Sequence, residues 1–149
     1  MNKTLSIVIF ICLAFAVSAN AQKTGDYKIT NIKAVPFEKS SGEFESEITD
    51  TDDRVFFNDL DKGIFLIIEI TGKPGDYQTK KGLSVTVTEG KKIKLKKAYF
   101  SGILNEQGKF YFPVWLEPAM CDGIKITATV TGQKTISKMT KTLPFMCGE

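Results

Sequence analysis

Apolar and polar residues alternate in the stretch Leu83-Ser84-Val85-Thr86-Val87-Thr88, the period-2 pattern of a β-strand with one buried face. The same alternation runs from Ile124 to Val130. A third stretch, Ile64 to Ile70, is apolar on both faces until Glu69, which predicts a central strand. The first strand is predicted over Tyr27 to Val35, with a bulge because its apolar residues change phase. No segment of the mature chain has the periodicity of an amphipathic helix.

Turn residues between these stretches predict hairpins. Asn105-Glu106-Gln107-Gly108 is typical of a three-residue loop with Gly108 in the left-handed conformation. A loop through Glu89-Gly90-Lys91 predicts a second hairpin, and the last strand pair is predicted to turn at Thr131 to Lys134. The expected cross-strand partners are Leu104 with Phe110, Phe100 with Val114, Val87 with Ile93 and Val85 with Leu95.

The strand count predicts an all-β fold, a single antiparallel β-sandwich of seven or eight strands over residues 22–149, with a small barrel as the alternative. The architecture resembles the immunoglobulin and fibronectin type III class in size and rhythm. It departs from true immunoglobulin domains, which place a tryptophan between two bridged cysteines, because Trp115 precedes both Cys121 and Cys147.

The first 21 residues have the pattern of a signal peptide. Lys3 supplies the positive region, Leu5 to Val17 the apolar region, and Ser18-Ala19-Asn20-Ala21 the cleavage site, so residues 22–149 are the expected mature chain. We therefore expect an extracytoplasmic protein, periplasmic or secreted, with no membrane span in the mature chain. Abundant lysine and isoleucine, with no N-x-S/T sequon after residue 21, favour a bacterial source.

Cys121 and Cys147 remain after cleavage, and an even pair in a secreted domain predicts a disulfide. The loop-entropy model assigns such a bridge about 3 kcal/mol. A Cu(I) site with the neighbouring Met120 and Met146 is the alternative, since copper in this state prefers soft sulfur ligands.

Acidic residues are concentrated between residues 36 and 62. Glu43 to Ile48 is expected to form an edge strand with Phe44 and Ile48 facing inward, and the rest to form loop. Five aspartates of this segment are candidate calcium ligands: Asp50, Asp52, Asp53, Asp59 and Asp61. A solvated acidic loop without a cofactor is the simpler interpretation, since the EF-hand pattern is not met.

The chain contains no histidine, which excludes Ser-His-Asp triads, histidine-paired cysteines and histidine zinc sites. No nucleophile elbow, phosphate-binding loop or dinucleotide fingerprint occurs. We therefore predict that the protein is not an enzyme, with carboxylate-only catalysis as the remaining alternative. The mature net charge of +2 is too small to indicate a nucleic-acid partner.

Lysines are dense between residues 80 and 97, where Lys92, Lys94 and Lys96 are predicted to share one strand face opposite Ile93 and Leu95. An exposed lysine face would bind an anionic glycan, a lipid headgroup or another polyanion. Alternatively, these lysines protect an exposed sheet edge against aggregation.

Aromatic residues gather between Lys109 and Trp115. Tyr111, Pro113 and Trp115 are predicted to face one way, while Phe110, Phe112 and Val114 face the other. Pro113 indicates an edge strand or a bulge, where flat rings would be open to a ligand; packing in the core is the alternative.

These features predict a non-catalytic binding or structural module that recognises a protein or a glycan. The predicted surface is Tyr111 and Trp115, with the strand of Lys92, Lys94 and Lys96 beside it. The alternative hypotheses are a calcium-stabilised module, or a small secreted inhibitor or chaperone that presents the acidic segment 36–62 to an enzyme.

Overall fold

The computed structural model describes residues 26–49, 55–56, 62–75, 77–103, 106–117 and 122–146. These segments contain β-strands and no helix, which confirms the predicted all-β class. The strands are β1 (Lys28–Glu38), β2 (Glu43–Phe44), β3 (Val55–Phe56), β4 (Lys62–Thr71), β5 (Tyr77–Glu89), β6 (Lys92–Ile103), β7 (Lys109–Leu116), β8 (Ile124–Thr131), β9 (Ser137–Leu143) and β10 (Phe145–Met146).

Eight of these strands form two antiparallel sheets of four strands each. The first sheet has the order β2-β1-β4-β7 and the second the order β6-β5-β8-β9, while β3 and β10 form a short parallel pair. The chain changes sheet between β4 and β5, between β6 and β7, and again between β7 and β8. The predicted β-sandwich is consistent with this arrangement.

The core lies between the two sheets and is built from the alternating residues of their strands. The second sheet contributes Leu83, Val85 and Val87 from β5 and the buried residues of β8, as their alternation predicts. The first sheet contributes Ile64, Leu66, Ile68 and Ile70 from β4, which lies between β1 and β7 as predicted for a central strand. Burial of these branched side chains stabilises the fold by roughly 1.5–3 kcal/mol each before entropy is counted.

Contacts between the sheets hold the two sides of the sandwich together. On one side, the side-chain amide of Gln133 bonds both the backbone N–H and the carbonyl oxygen of Tyr27, at 2.9 and 2.8 Å. The backbone N–H of Ile29 donates to the hydroxyl of Ser137 at 2.9 Å. On the other side, the rings of Tyr99 and Phe112 pack with their centroids 5.4 Å apart.

The predicted bulge in the first strand is confirmed, since the β1–β4 register shifts between Ile29 and Asn31. Gly108 has the predicted left-handed conformation, with φ of 71°. The carbonyl oxygen of Gly72 stands where a β-carbon at position 108 would lie, so the loop also needs glycine for space.

The predicted hairpin around Gly108 is wrong, because β6 and β7 lie in different sheets. Phe100 and Val114 are therefore not ladder partners. Val114 pairs with Leu66 of β4, and Phe100 pairs with Gly82 of β5. The loop carries the chain across the sandwich, so a turn sequence typical of a hairpin does not determine which sheet receives the next strand.

The predicted register of β5 and β6 is also wrong. Glu89 pairs with Lys92 across a two-residue turn, and Val87 pairs with Leu95 because Lys94 is an extra residue in β6. This bulge changes the phase of the strand. Ile93 faces outward opposite Thr88 and is 59% exposed, whereas Leu95 packs against the core.

The described part of the acidic segment lies along the edge of the first sheet. Ile48 is buried as predicted, and its backbone N–H donates to the carbonyl oxygen of Ala34 at 2.8 Å. Phe44 was expected to face inward, but it lies opposite Phe37 on the outer side of the sheet and is 58% exposed. A strand of two residues places only one side chain on each face, so alternation could not determine its orientation.

Several predictions concern residues outside the described ranges. These are the signal peptide, the cysteines Cys121 and Cys147, and the candidate calcium ligands Asp50, Asp52, Asp53, Asp59 and Asp61. None of the described segments forms a helix that is long and apolar enough to cross a membrane.

Candidate binding face

The outer side of the first sheet carries a continuous apolar surface, which we call the aromatic face. It arises because every second residue of β1, β4 and β7 points away from the core. Its members are Val35, Phe37, Phe44, Phe65, Ile67, Tyr111, Pro113 and Trp115. Phe44, Tyr111 and Pro113 are exposed, and the other five are half-buried.

The strand register arranges these side chains in rows across the sheet. Val35, Phe65 and Trp115 form one row, and Lys33, Ile67 and Pro113 form the next. Directly opposed residues in adjacent strands lie close enough for their side chains to contact, so each row is a continuous strip.

Edge contacts between rings order one end of the face. The ring of Phe37 lies 5.0 Å from that of Phe44 and 5.7 Å from that of Trp115, and Phe44 lies 5.8 Å from Phe65. The interplanar angles of 58° and 72° are the tilted and T-shaped arrangements that aromatic rings prefer. The rings therefore form a fixed surface instead of four independently mobile side chains.

A shallow depression of about 500 Å³ lies toward the other end of the face. Its lining is Lys33, Phe65, Ile67, Tyr111 and Pro113, so all but one of the side chains are apolar or aromatic. Pro113 lies within β7, an edge strand of the first sheet, as the sequence predicts.

Ion pairs within the chain frame the aromatic face. The indole N–H of Trp115 donates to Glu117 at 2.6 Å, and Lys39 pairs with the same carboxylate at 2.9 Å. These two contacts, the indole hydrogen bond first, lower the pKa of Glu117 below its usual value. Lys62 forms ion pairs with Glu45 at 2.6 Å and with Glu38 at 3.4 Å. The hydrogen bond that Lys62 donates to Glu45 is the main reason that the pKa of Lys62 is raised.

Another ion pair lies at the opposite border, where the ammonium of Lys109 contacts the carboxylate of Glu69 at 3.1 Å. The hydroxyl of Thr30 also donates to Glu69, at 3.0 Å. Both hydrogen bonds favour the ionised carboxylate, so the pKa of Glu69 is lowered, and the pKa of Lys109 is raised. These border charges thus neutralise one another, while Lys33 places one positive charge within the otherwise apolar surface.

The alternation predicted for β7 is confirmed. Val114 is buried, Phe110 and Phe112 pack against the core, and Tyr111, Pro113 and Trp115 lie on the outer side. Tyr111 is 47% exposed, whereas Trp115 is half-buried against its neighbours on the same face.

The structure does not bring the predicted lysines beside this face. They belong to β6 in the second sheet, and the bulge at Lys94 separates them from one another. Lys92 lies next to the turn and is the ladder partner of Glu89. Lys94 forms an ion pair with the carboxylate of Glu89 at 2.9 Å. Lys96 lies on the outer side of the second sheet, opposite Thr86. Sequence spacing alone could not show that β6 and β7 part into separate sheets.

Sequence reasoning missed five members of the aromatic face: Val35, Phe37, Phe44, Phe65 and Ile67. The available signal was the apolar character of β4 on both of its faces. That pattern was interpreted as a central strand, which it is, but a central strand in a two-layer fold still has one outward face. The apolar residues on that outward face form part of the exposed apolar surface of the aromatic face.

No protein-family model matches the chain, and no curated protein is significantly similar to it. In the part of the chain that the structure describes, no three His, Cys, Asp or Glu side chains lie close enough to hold a metal ion.

Proposed function

We propose that this chain is a non-catalytic binding module, secreted or periplasmic, that docks on a protein partner through the aromatic face. The observation that carries the proposal is the continuous row-by-row apolar surface on the outer side of the first sheet. Large apolar patches on a soluble domain mark sites of interaction, because leaving them in water is unfavourable.

The architecture supports a module of the immunoglobulin or fibronectin type III class. Such domains pack two antiparallel sheets joined by connections that cross from one sheet to the other. The three changes of sheet in this chain support that assignment.

The composition of the face favours a protein over a glycan. Glycans require hydrogen-bonding groups beside the stacking rings, because their hydroxyls must be satisfied when water is displaced. Here the indole N–H of Trp115 already donates to Glu117, and Val35, Ile67 and Pro113 offer no polar groups. The depression has two polar side chains, Tyr111 and Lys33, which is few for the many hydroxyls of a glycan. Aromatic residues within an apolar patch and charges at its rim are the usual anatomy of a protein interface.

The alternative of an inhibitor or chaperone that presents segment 36–62 stays a prediction. Residues 36–38 and 43–44 form strand pairs, and the N–H groups of Glu45 and Ile48 bond β1. These contacts do not favour that alternative, since an inhibitory loop must stand free of its scaffold.

Photocrosslinking followed by titration tests the proposed function. A crosslinking phenylalanine analogue at position 111 is expected to capture a protein from an extracytoplasmic extract, and the same analogue at Lys134, exposed between β8 and β9, serves as the control. The captured protein is then purified and titrated with the unmodified chain and with F44S/Y111S. Both replaced side chains are exposed, so the fold should persist.

We expect the double variant to bind at least about tenfold more weakly, since exposed aromatic anchors dominate such interfaces. Equal affinity of the unmodified chain and of F44S/Y111S for the captured protein would overturn the proposal. A glycan that alters Trp115 fluorescence and blocks capture would reassign the face to carbohydrate. A dimer that dissociates in F44S/Y111S would reassign it to self-association.

A further inference from the structure

The outer side of the second sheet has a different chemistry from the aromatic face. One row runs across all four strands of this sheet, from Lys96 in β6 through Thr86 and Thr127 to Thr140 in β9. Lys125 and Lys138 lie on the same side, one row to either side of Thr127. We call these six residues the lysine–threonine face.

In the part of the chain that the structure describes, some lysines of the sandwich form ion pairs and others, such as Lys28 and Lys73, do not. The three lysines of this face belong to the second group, and they share one side of the second sheet. Lys39, Lys62, Lys94, Lys109 and Lys141 each contact a glutamate within 3.5 Å. Within the described ranges, Lys96, Lys125 and Lys138 make no ion pair, and each is exposed. Their positive charges are therefore available to a ligand.

Edge protection does not explain the whole set. Lysines on β6 and β9 can shield those edge strands from pairing with another chain. Lys125, however, lies on β8, which is paired on one side with β5 and on the other with β9. A strand with both edges paired needs no such protection, so edge protection does not account for Lys125.

The geometry of the face suits an extended polymer. The three lysine α-carbons are about 12 to 16 Å apart, given about 4.8 Å between strands and about 3.3 Å per residue. Charges at this spacing are too far apart to surround one small anion. They can contact successive anionic groups along a chain that crosses the sheet.

We propose that the lysine–threonine face binds a linear anionic polysaccharide, one that carries carboxylate or sulfate groups. The lysine ammonium groups would contact the anionic oxygens, and the threonine hydroxyls can both donate to and accept from sugar hydroxyls. The row of the four strands offers no aromatic side chain on which a nucleic-acid base could stack, which disfavours single-stranded nucleic acid. The large apolar side chain on this side is Ile93, in the row of Lys125, and one such side chain is a small surface for insertion into a membrane.

Binding to polymers of known charge tests this proposal. The purified protein is titrated with polyuronate and with dextran sulfate, and neutral dextran of equal length is the control. We expect saturable binding to the two anionic polymers, no binding to neutral dextran, and weaker binding as salt is raised, because exposed charges are screened.

Variants assign the binding to the face. K125Q/K138Q is expected to lower the affinity about tenfold, since each exposed ionic contact contributes a factor of about two to five. K28Q/K73Q removes the same charge from exposed positions elsewhere and is expected to retain wild-type affinity. T127V/T140V keeps the β-branched shape without the hydroxyls and should also weaken binding, with melting temperature unchanged.

The proposal is overturned if neither anionic polymer binds at low salt. It is also overturned if K125Q/K138Q and K28Q/K73Q lower the affinity equally. Tighter binding to vesicles containing phosphatidylglycerol, or to single-stranded DNA, with the same dependence on Lys125 and Lys138 would assign the face to another polyanion. F44S/Y111S is expected to bind the anionic polymers with wild-type affinity. The test of the lysine–threonine face is therefore independent of the test of the aromatic face.

Discussion

The indole ring of Trp115 lies over Gly63 of the neighbouring strand, in the space that a side chain at position 63 would occupy. Its atoms Cζ2 and Cη2 are the nearest neighbours of a β-carbon built there. Gly63 pairs with Phe37 in β1, whose ring meets Trp115 edge-on at 5.7 Å. The missing side chain of Gly63 thus allows the two rings to meet across the central strand of the first sheet.

The first prediction concerns this contact. Gly63→Ala is expected to destabilise the protein by about 1–3 kcal/mol, because the added methyl group displaces the indole ring. Denaturant unfolding measures the change. Gly123→Ala is the control, since a β-carbon there meets only the carbonyl oxygen of Leu143, at 3.4 Å. In a Trp115→Ala background the cost of Gly63→Ala should nearly vanish, and an unchanged cost would contradict the contact.

The second prediction concerns acid stability. The hydrogen bonds from Lys109 and Thr30 lower the pKa of Glu69 in the folded state. The stabilisation is therefore present above the unfolded pKa of about 4.3 and is lost as the pH falls through the lower folded value. Glu69→Gln should lower the melting temperature at pH 7 and much less at pH 3. Glu106→Gln, in an exposed loop, provides the comparison, and equal effects of Glu69→Gln at both pH values would refute the assignment.

The third prediction concerns the edge strand β6. Lys97 pairs with Val85, so it lies on the core side of the sheet between Leu95 and Tyr99, yet it is exposed. An inward-facing charge on an edge strand opposes pairing with another chain. Lys97→Val should increase aggregation measured by light scattering, with little change in unfolding free energy. Lys73→Val, in an exposed turn, should stay soluble; aggregation of both would point to lost net charge instead.

The fourth prediction concerns Cys121 and Cys147. Peptide mapping of the purified, unreduced protein is expected to join the two cysteines, with the intact mass lower by two hydrogens. Replacing both by alanine should cost about 3 kcal/mol of stability, as a cross-link of this loop length restricts the unfolded chain. Two thiols that react with a thiol reagent in the native protein would rule the disulfide out.

The local alternation of residues determined much of the fold. Strands β5 and β8 bury the residues that their period-2 patterns predict, because burying one face of a pleated strand requires every second side chain to be apolar. The outward orientation of Tyr111 and Trp115 followed from the same rule, whereas the central position of β4 followed from its apolar residues on both faces. Each of these features depends on a single strand and its two faces, which are fixed by the chain itself.

Only the tertiary structure decided which strands become neighbours. The loop before Gly108 has the composition of a hairpin, yet it leads β7 to pair with β4 instead of β6. The extra residue at Lys94 reverses the outward side of β6. The lysines predicted to adjoin the aromatic face lie in the other sheet because β6 pairs with β5 there. The rows of both candidate faces depend on pairings between strands distant in sequence. Those pairings are selected by burial of the whole core, which no local pattern encodes.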